Sequence, residues 1–264
     1  MGGMLKSVWQ YRGFVLSSIR NDMVSRFAQS KLGGLWVILN PLSQVLIYAL
    51  ILSNILAAKL PGIDNKYAYA IYLMSGLLAW TLFSELVSRC LTLFIDNGNL
   101  MKKMNFPRIT LPSIVIGSCV LNNALLFMAM LVIFALLGHE FNAAMLWLIP
   151  LTFCVVTLGF GVGLLLGVFN VFMRDIGQVV PIVLQVMFWF TPIVYPLDII
   201  PSQYRDLMSF NPLYPIIDGY HQVLVYGLSP QFESIAIVLA ASLFLVALGL
   251  FIFKRAGAEM MDVL

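Results

Sequence analysis

The sequence predicts an all-α polytopic membrane protein. Six transmembrane helices are expected, with an N-terminal amphipathic interface helix before them and re-entrant helices on the outer side between spans five and six. Three observations predict it. Of 264 residues, 61% are hydrophobic and only 10% are charged, against about 25% charged in a soluble domain. So few charges cannot clothe a water-facing surface, so lipid is the main solvent. The apolar residues fall in runs long enough to cross a hydrocarbon core of ~30 Å, which takes about 20 helical residues. Lys and Arg collect in alternate connections between those runs, as they do in multi-pass proteins.

Residues 4–31 are too polar to span. Val8, Val15, Leu16, Ile19, Met23 and Phe27 recur at helical spacing, and Arg12, Arg20, Asp22, Ser25, Arg26 and Gln29 occupy mostly the other face. This amphipathic pattern suits an anionic membrane surface, with Trp9 and Tyr11 at headgroup level. It equally suits a helix packed on a protein partner. The spans are then read at 36–58, 70–94, 111–137, 145–171, 179–195 and 235–253, which with their connections make a six-span transmembrane domain over 32–255. A tail over 256–264 follows.

An even number of spans puts both termini on one side. That side holds 11 of the Lys and Arg residues and the other side holds three, Lys59, Lys66 and Arg205; Arg89 lies within the second span. The excess assigns both termini to the cytoplasm. It also makes 97–110 a cytoplasmic loop and Arg174-Asp175 a second, tighter one. On the outer side, 196–232 is the unusual connection. Its middle (NPLYPIIDGYHQVLVYG, 211–227) is too apolar for a free loop, and Pro212, Pro215 and Gly219 interrupt it. Broken helices at membrane depth are tolerated only where protein or a water-filled cavity covers them. A re-entrant pair of short helices fits this composition, and so does a structured external loop.

Several chemistries can be set aside. Gly-Lys does not occur in the sequence, so no phosphate-binding loop of the Walker type exists. Gly159, Gly163 and Gly167 fall on one helix face inside an apolar span, the spacing that lets helices approach closely. Cys90, Cys119 and Cys154 sit in separate apolar runs with no CxxC pair, and His139 and His221 are far apart, so neither a metal site nor a disulfide framework is expected. A net charge of +3 without a basic stripe argues against nucleic acid.

Within the spans, Glu85 and Arg89 are four residues apart and suggest a structural ion pair near the inner surface. Asn122 and Asn123 are expected to hydrogen-bond between helices. Tyr48, Trp80, Phe83, Phe188, Trp189 and Tyr195 are candidates for a channel lining. Aromatic faces stack on sugar rings, although most buried aromatics only pack.

Five short motifs occur in order. Asn40-Pro41 opens span one, Phe106-Pro107-Arg108 follows span two, and Arg174-Asp175 follows span four. Residues 191–196 (TPIVYP) close span five, and Asn211-Pro212-Leu213 begins the re-entrant segment. Over nearly the whole chain this set resembles the type-2 ABC permeases that export polysaccharide, in particular the Wzm-type O-antigen permease. The opening KSVWQYRGF is similar to the same branch. The resemblance implies a homodimeric channel in the bacterial inner membrane, paired with two copies of a separate Wzt-type ATPase. ATP and Mg would be bound by that partner, and this chain would carry no cofactor and no catalytic residue. The substrate implied is a lipid-linked O-polysaccharide. The coupling element of the family falls on Leu100, Lys102, Lys103, Phe106, Pro107 and Arg108, with Arg174 and Asp175 at the second loop. Export of teichoic acid, capsule or a small drug by the same fold is the alternative. A membrane-embedded enzyme acting on lipid-linked sugars is a further one. It would need paired carboxylates, and the outer acids Asp64, Glu140, Asp198, Asp206, Asp218 and Glu233 are dispersed.

Overall fold

A computed structural model describes residues 9–28, 31–36, 38–39, 42–43, 68–103, 107–136, 142–197, 200–201, 203, 208, 210–257 and 259–264. Helices α1 (Arg12–Ala28), α2 (Ala68–Asp96), α3 (Gly98–Lys103), α4 (Thr110–Leu136), α5 (Leu148–Phe172), α6 (Ile176–Phe190), α7 (Tyr214–Leu224), α8 (Phe232–Ala256) and α9 (Glu259–Val263) follow one another, with short 3-10 turns at Gly33–Leu35 and Ala143–Trp147. No strand occurs among the described residues.

Four of these segments, Ala68–Asp96, Thr110–Ala135, Ala143–Phe172 and Phe232–Ala256, are long and apolar enough to cross a membrane. The chain is therefore a multi-pass membrane protein. Six spans were expected. The first lies almost wholly outside the described residues, together with Asn40, Pro41 and Tyr48. The fifth is shorter than expected: α6 has 15 residues, roughly 22 Å at 1.5 Å per residue. It stops because Thr191 precedes Pro192, which pushes Thr191 out of the helical region to φ −107°, ψ 133°. The remaining apolar residues to Tyr195 form turns. Of the expected re-entrant pair, α7 is the described helix, begun by Pro215 where no backbone donor is needed. Parts of 198–209 lie outside the described residues.

The centre of the bundle is α5, packed against α2 on one side and α8 on the other. Small residues make both approaches. A Cβ on Gly159 would meet Leu86, one on Gly163 would meet Val87 and Cys90, and one on Gly167 would lie 2.2 Å from the Cys90 carbonyl oxygen. On the opposite face, Gly161 abuts the backbone at Leu245–Val246, and Gly249 abuts Leu164 and Leu165. Both pairings advance in the same direction along the chain, so α2, α5 and α8 run parallel. The antiparallel α4 packs on α2. Its Asn123 amide donates to the Leu78 carbonyl at 2.9 Å, and its Asn122 amide to Glu85 Oε2 at 2.8 Å, the interhelical bonds expected of that pair. Helix α8 suits its own dipole, with Glu233 in its first turn and Lys254 and Arg255 in its last.

The amphipathic α1 lies against α4. Val15 and Met23 are buried there, and Ile19 fills the space above Gly117. The packed stripe is narrower than the sequence suggested. Leu16, placed on the apolar face, is 66% exposed, because it stands about 100° round the helix from Val15. Trp9 is exposed, with the Arg12 guanidinium 5.0 Å above its ring.

Candidate functional site

Polar side chains gather at the two ends of the bundle and at one level between them. The basic end holds α3, the turn 107–109, the Arg174-Asp175 turn and the chain terminus. Thr110 begins α4, and its hydroxyl and backbone N–H both donate to the Pro107 carbonyl, at 2.7 and 2.9 Å. This Pro107–Thr110 turn orients Arg108, whose guanidinium donates to the carbonyl of Gly257. Lys102 is exposed on α3 and Leu100 packs against the core; Lys103 closes the helix. Phe106 lies outside the described residues.

Arg174 and Asp175 are both exposed. They form a tight reversal between α5 and α6, closed by Gly177 N–H to the Arg174 carbonyl at 3.1 Å and by Gln178 N–H to the Asp175 carbonyl at 3.0 Å. The buried Asn170 anchors that reversal to α2 through its amide, which donates to the Leu91 carbonyl at 2.9 Å. The rings of Phe94 and Phe253 stack at 5.0 Å. The lower ends of α2, α5 and α8 therefore form one packed layer, from which both basic turns project.

One helical step above this layer, Arg89 joins three elements. It lies 2.9 Å from Asp22 of α1 and 3.9 Å from Glu85 one turn earlier in α2, while Glu85 receives Asn122 of α4. The expected Glu85–Arg89 pair exists, but the shorter contact runs to Asp22. Asp22 had been read only as part of the polar face of α1. A lone carboxylate on an otherwise cationic helix, beside a lone arginine in an apolar span, was the available signal.

At the opposite end, the TPIVYP turn is clamped. Tyr69 OH donates to the Val194 carbonyl at 2.7 Å, and Tyr72 OH lies 3.1 Å from the Tyr195 carbonyl and 3.3 Å from that of Pro192. The Asn211 amide donates to Thr191 Oγ1 at 2.8 Å, and the Asn211 side-chain oxygen accepts from Leu213 N–H at 3.0 Å. Two motifs 20 residues apart thus close on each other. Beneath them the His221 ring stacks on Tyr72 at 3.7 Å. Gly76 leaves room for this ring, since a Cβ there would come within 2.9 Å of His221 Nε2. Thr152 and Tyr220 share a hydrogen bond of 2.7 Å, and Gly227 turns the chain at φ 66°. Sequence reasoning missed Tyr69, Tyr72 and His221, because nothing local marks a tyrosine that bonds a carbonyl more than a hundred residues away. Tyr72→Phe is expected to cost about 1 kcal/mol for the lost hydroxyl, read as a lower Tm in detergent. Tyr69→Phe/Tyr72→Phe together should cost about twice that.

An aromatic row lies between the two ends, where α2 meets α6. Phe188 meets Trp80 edge-on at 5.4 Å and Trp189 at 5.4 Å, and Trp80 meets Phe83 at 5.9 Å. Trp80 and Phe83 are buried within the chain, whereas Trp189 is 52% exposed. Tyr195 is half-buried and donates to the Trp189 carbonyl at 2.5 Å. The exposed apolar side chains of α6, including Val179, Ile182, Val183 and Val186, continue this surface along the helix.

The chain is similar to the O-antigen export system permease protein RfbA of Klebsiella pneumoniae, 29% identical over 244 residues that cover 92% of each chain. It is similar to the protein of the same name from Myxococcus xanthus, 28% identical over 263 residues and 97% of each chain. The polysialic acid transport protein KpsM of Escherichia coli is 24% identical over 245 residues, 91% of this chain and 92% of its own. The family described as ABC-2 type transporter matches residues 14–225, from α1 through α7. The chain belongs to the ABC-2 type transporter family of membrane subunits.

Proposed function

We propose that this chain is the transmembrane subunit of an ATP-driven exporter that moves a lipid-linked O-antigen polysaccharide across the bacterial inner membrane. The observation that carries the reading is end-to-end similarity to O-antigen export permeases, over 92% or more of both chains. The basic end supports it. A chain without a Walker motif takes its energy from a partner, and the partner needs a shaped surface to push on. Here α3, the Pro107–Thr110 turn and the Arg174-Asp175 reversal project from one rigid layer. That end is the cytoplasmic one by its excess of Lys and Arg.

Two copies of the chain would pair with two Wzt-type ATPase subunits, which would bind the ATP and Mg. Leu100, Lys102, Lys103, Phe106, Pro107, Arg108, Arg174 and Asp175 would form the contact with the ATPase. The exposed apolar face of α6 would meet the second copy or the channel, with Trp189 and Tyr195 at the lumen and Trp80, Phe83 and Phe188 backing them. Tyr48 completes the candidate lining. Sugar rings would slide over such faces through C–H contacts without being held. Export of a capsule-type polymer is a second reading, favoured by the similarity to the polysialic acid transport protein.

The test is complementation with the neighbouring ATPase in a strain that lacks the chain. The wild-type chain should restore surface polysaccharide. Lys102→Glu/Lys103→Glu/Arg108→Glu should insert normally and lower export by about tenfold or more, the range of a lost inter-site coupling. Immunoblots of surface glycan and of membrane fractions read both quantities. Undiminished glycan from the triple variant would remove the coupling role from these cations. A wild-type chain that never co-purifies with the ATPase would remove the exporter reading.

A further inference from the structure

We infer that the C-terminal helix α9 is a positioning element for the coupling helix α3, clamping it to the end of α8 so that the three move as one body. This rests on the reading that α3 receives the thrust of the ATPase.

The physical problem is one of backing. A six-residue helix is far below the length at which a helix holds itself together in water, about 12–15 residues. Pushed from below, α3 would unwind or tilt rather than transmit. Something must fix it from the membrane side, and the last residues of the chain do so at three places. At the start of α3, Gly98 is buried, and a Cβ built there lies 3.6 Å from both Cβ and Cδ2 of Leu264. Along its length, α9 packs on α3 and also on α5. Met260 contributes a side chain of 0% exposure to the core that holds the buried Met101. After α3, Arg108 reaches back to the carbonyl of Gly257, the C-cap of α8.

The geometry is specific. A Cβ at Gly98 would make ordinary van der Waals contact with Leu264, so the two positions are near enough to be tied. The Gly257 carbonyl lies past the end of the α8 hydrogen-bond ladder, where helices leave acceptors unmet, and Arg108 satisfies one. Arg108 therefore has a second role beyond offering charge to a partner. It bolts the Pro107 turn to the terminus of a membrane span. Gly98, Met101 and Arg108 lie within the stretch matched by the family, and α9 lies after it.

The decisive experiment uses the full-length chain with its ATPase. In Gly98→Cys/Leu264→Cys the Cβ separation is near the ~3.8 Å typical of a disulfide, and the native Cys90, Cys119 and Cys154 are buried free thiols within α2, α4 and α5. Copper-phenanthroline should close this bond in membranes, and export should stay within about twofold of the reduced protein. Met260→Asp should lower export by about tenfold while ATP turnover by the co-purified ATPase continues. Met260→Leu should export normally. Adding the oxidised tie to Met260→Asp should restore export, and a reductant should abolish the rescue. Export that stops when the tie closes in the otherwise wild-type chain would overturn the inference, because the segments would then have to part. Normal export by Met260→Asp would overturn it too. Should Met260→Asp fail to reach the membrane, the tie in the otherwise wild-type chain still decides. A wild-type chain that neither binds an ATPase nor exports would strike the functional reading itself, and is scored separately in the unmodified protein.

Discussion

Gly167→Leu is expected to leave little folded protein in the membrane. A Cβ at this position would lie 2.2 Å from the Cys90 carbonyl oxygen, and backbone cannot step aside as a side-chain tip can. Helices α2 and α5 would have to separate, and they form the central contact of the bundle. In a membrane, lipid tails solvate apolar side chains as well as leucine does, so close packing and interhelical bonds hold helices together. Moving α5 outward also pulls Asn170 from the Leu91 carbonyl. Overpacking a filled site costs about 1–3 kcal/mol and more where backbone must move, so a loss at or above ~3 kcal/mol is expected, which is most of a marginal stability. Gly167→Ala should be intermediate. Gly13→Ala, with nothing within 4 Å of the new atom, should be silent. Fluorescence-detected size exclusion after a temperature ramp reads all three. A Gly167→Leu peak as stable as wild type would mean that α2 and α5 do not touch here.

Arg89→Ala should release α1 from the bundle. Arg89 stands between two carboxylates, Asp22 at 2.9 Å and Glu85 at 3.9 Å, and the Arg89 and Asp22 side chains are 22% and 26% exposed. Removing the cation takes the 2.9 Å contact from Asp22 and the 3.9 Å contact from Glu85. Charged hydrogen bonds of this kind are worth about 1.5–3 kcal/mol. The expected loss is about 2–3 kcal/mol, with new protease cleavage within α1. Arg89→Lys should recover only part of it, since one ammonium cannot serve both carboxylates as the guanidinium fork does. A double-mutant cycle of Asp22→Ala with Arg89→Ala isolates the pair, and coupling near zero would reduce α1 to its apolar contacts. The coupling matters mechanically as well. Through Asp22, Arg89, Glu85 and Asn122, a displacement of α1 is felt by α2 and α4 together.

Much of this was legible in the sequence, for reasons that differ by element. Four of the spans were readable within a few residues because hydrophobic run length is a one-dimensional property: 70–94 became Ala68–Asp96, and 235–253 became Phe232–Ala256. The glycine spacing was readable because a helix repeats its face every three to four residues. Where a local rule competed with hydropathy, hydropathy misled. Residues 191–195 are apolar enough to continue span five, but the residue before a proline leaves the helical region, and α6 ended at Phe190. The face of α1 was read too broadly, because period alone cannot say how wide a groove α4 offers.

The candidate site divides the same way. The exposure of Lys102, Arg174 and Asp175 follows from their charge and their place between spans. That Arg108 turns inward to Gly257 does not follow, since a cation in a loop has no sequence mark for its partner. Thr191 with Asn211, Tyr72 with His221, and Gly98 with Leu264 are all pairings of this kind.

By itself, then, the sequence determined that the chain lives in lipid, about where it crosses, which end is basic and that it carries no nucleotide loop. Each of these is a sum over neighbouring residues, and such sums survive without knowledge of the fold. Only the tertiary structure decided that α2 and α8 are the helices packed on the glycine faces of α5, that Asp22 rather than Glu85 is the nearer partner of Arg89, and that α9 packs on α3. Those are contacts between segments tens to hundreds of residues apart. Hydrogen bonds and close packing act over a few ångströms of space, whatever the distance along the chain.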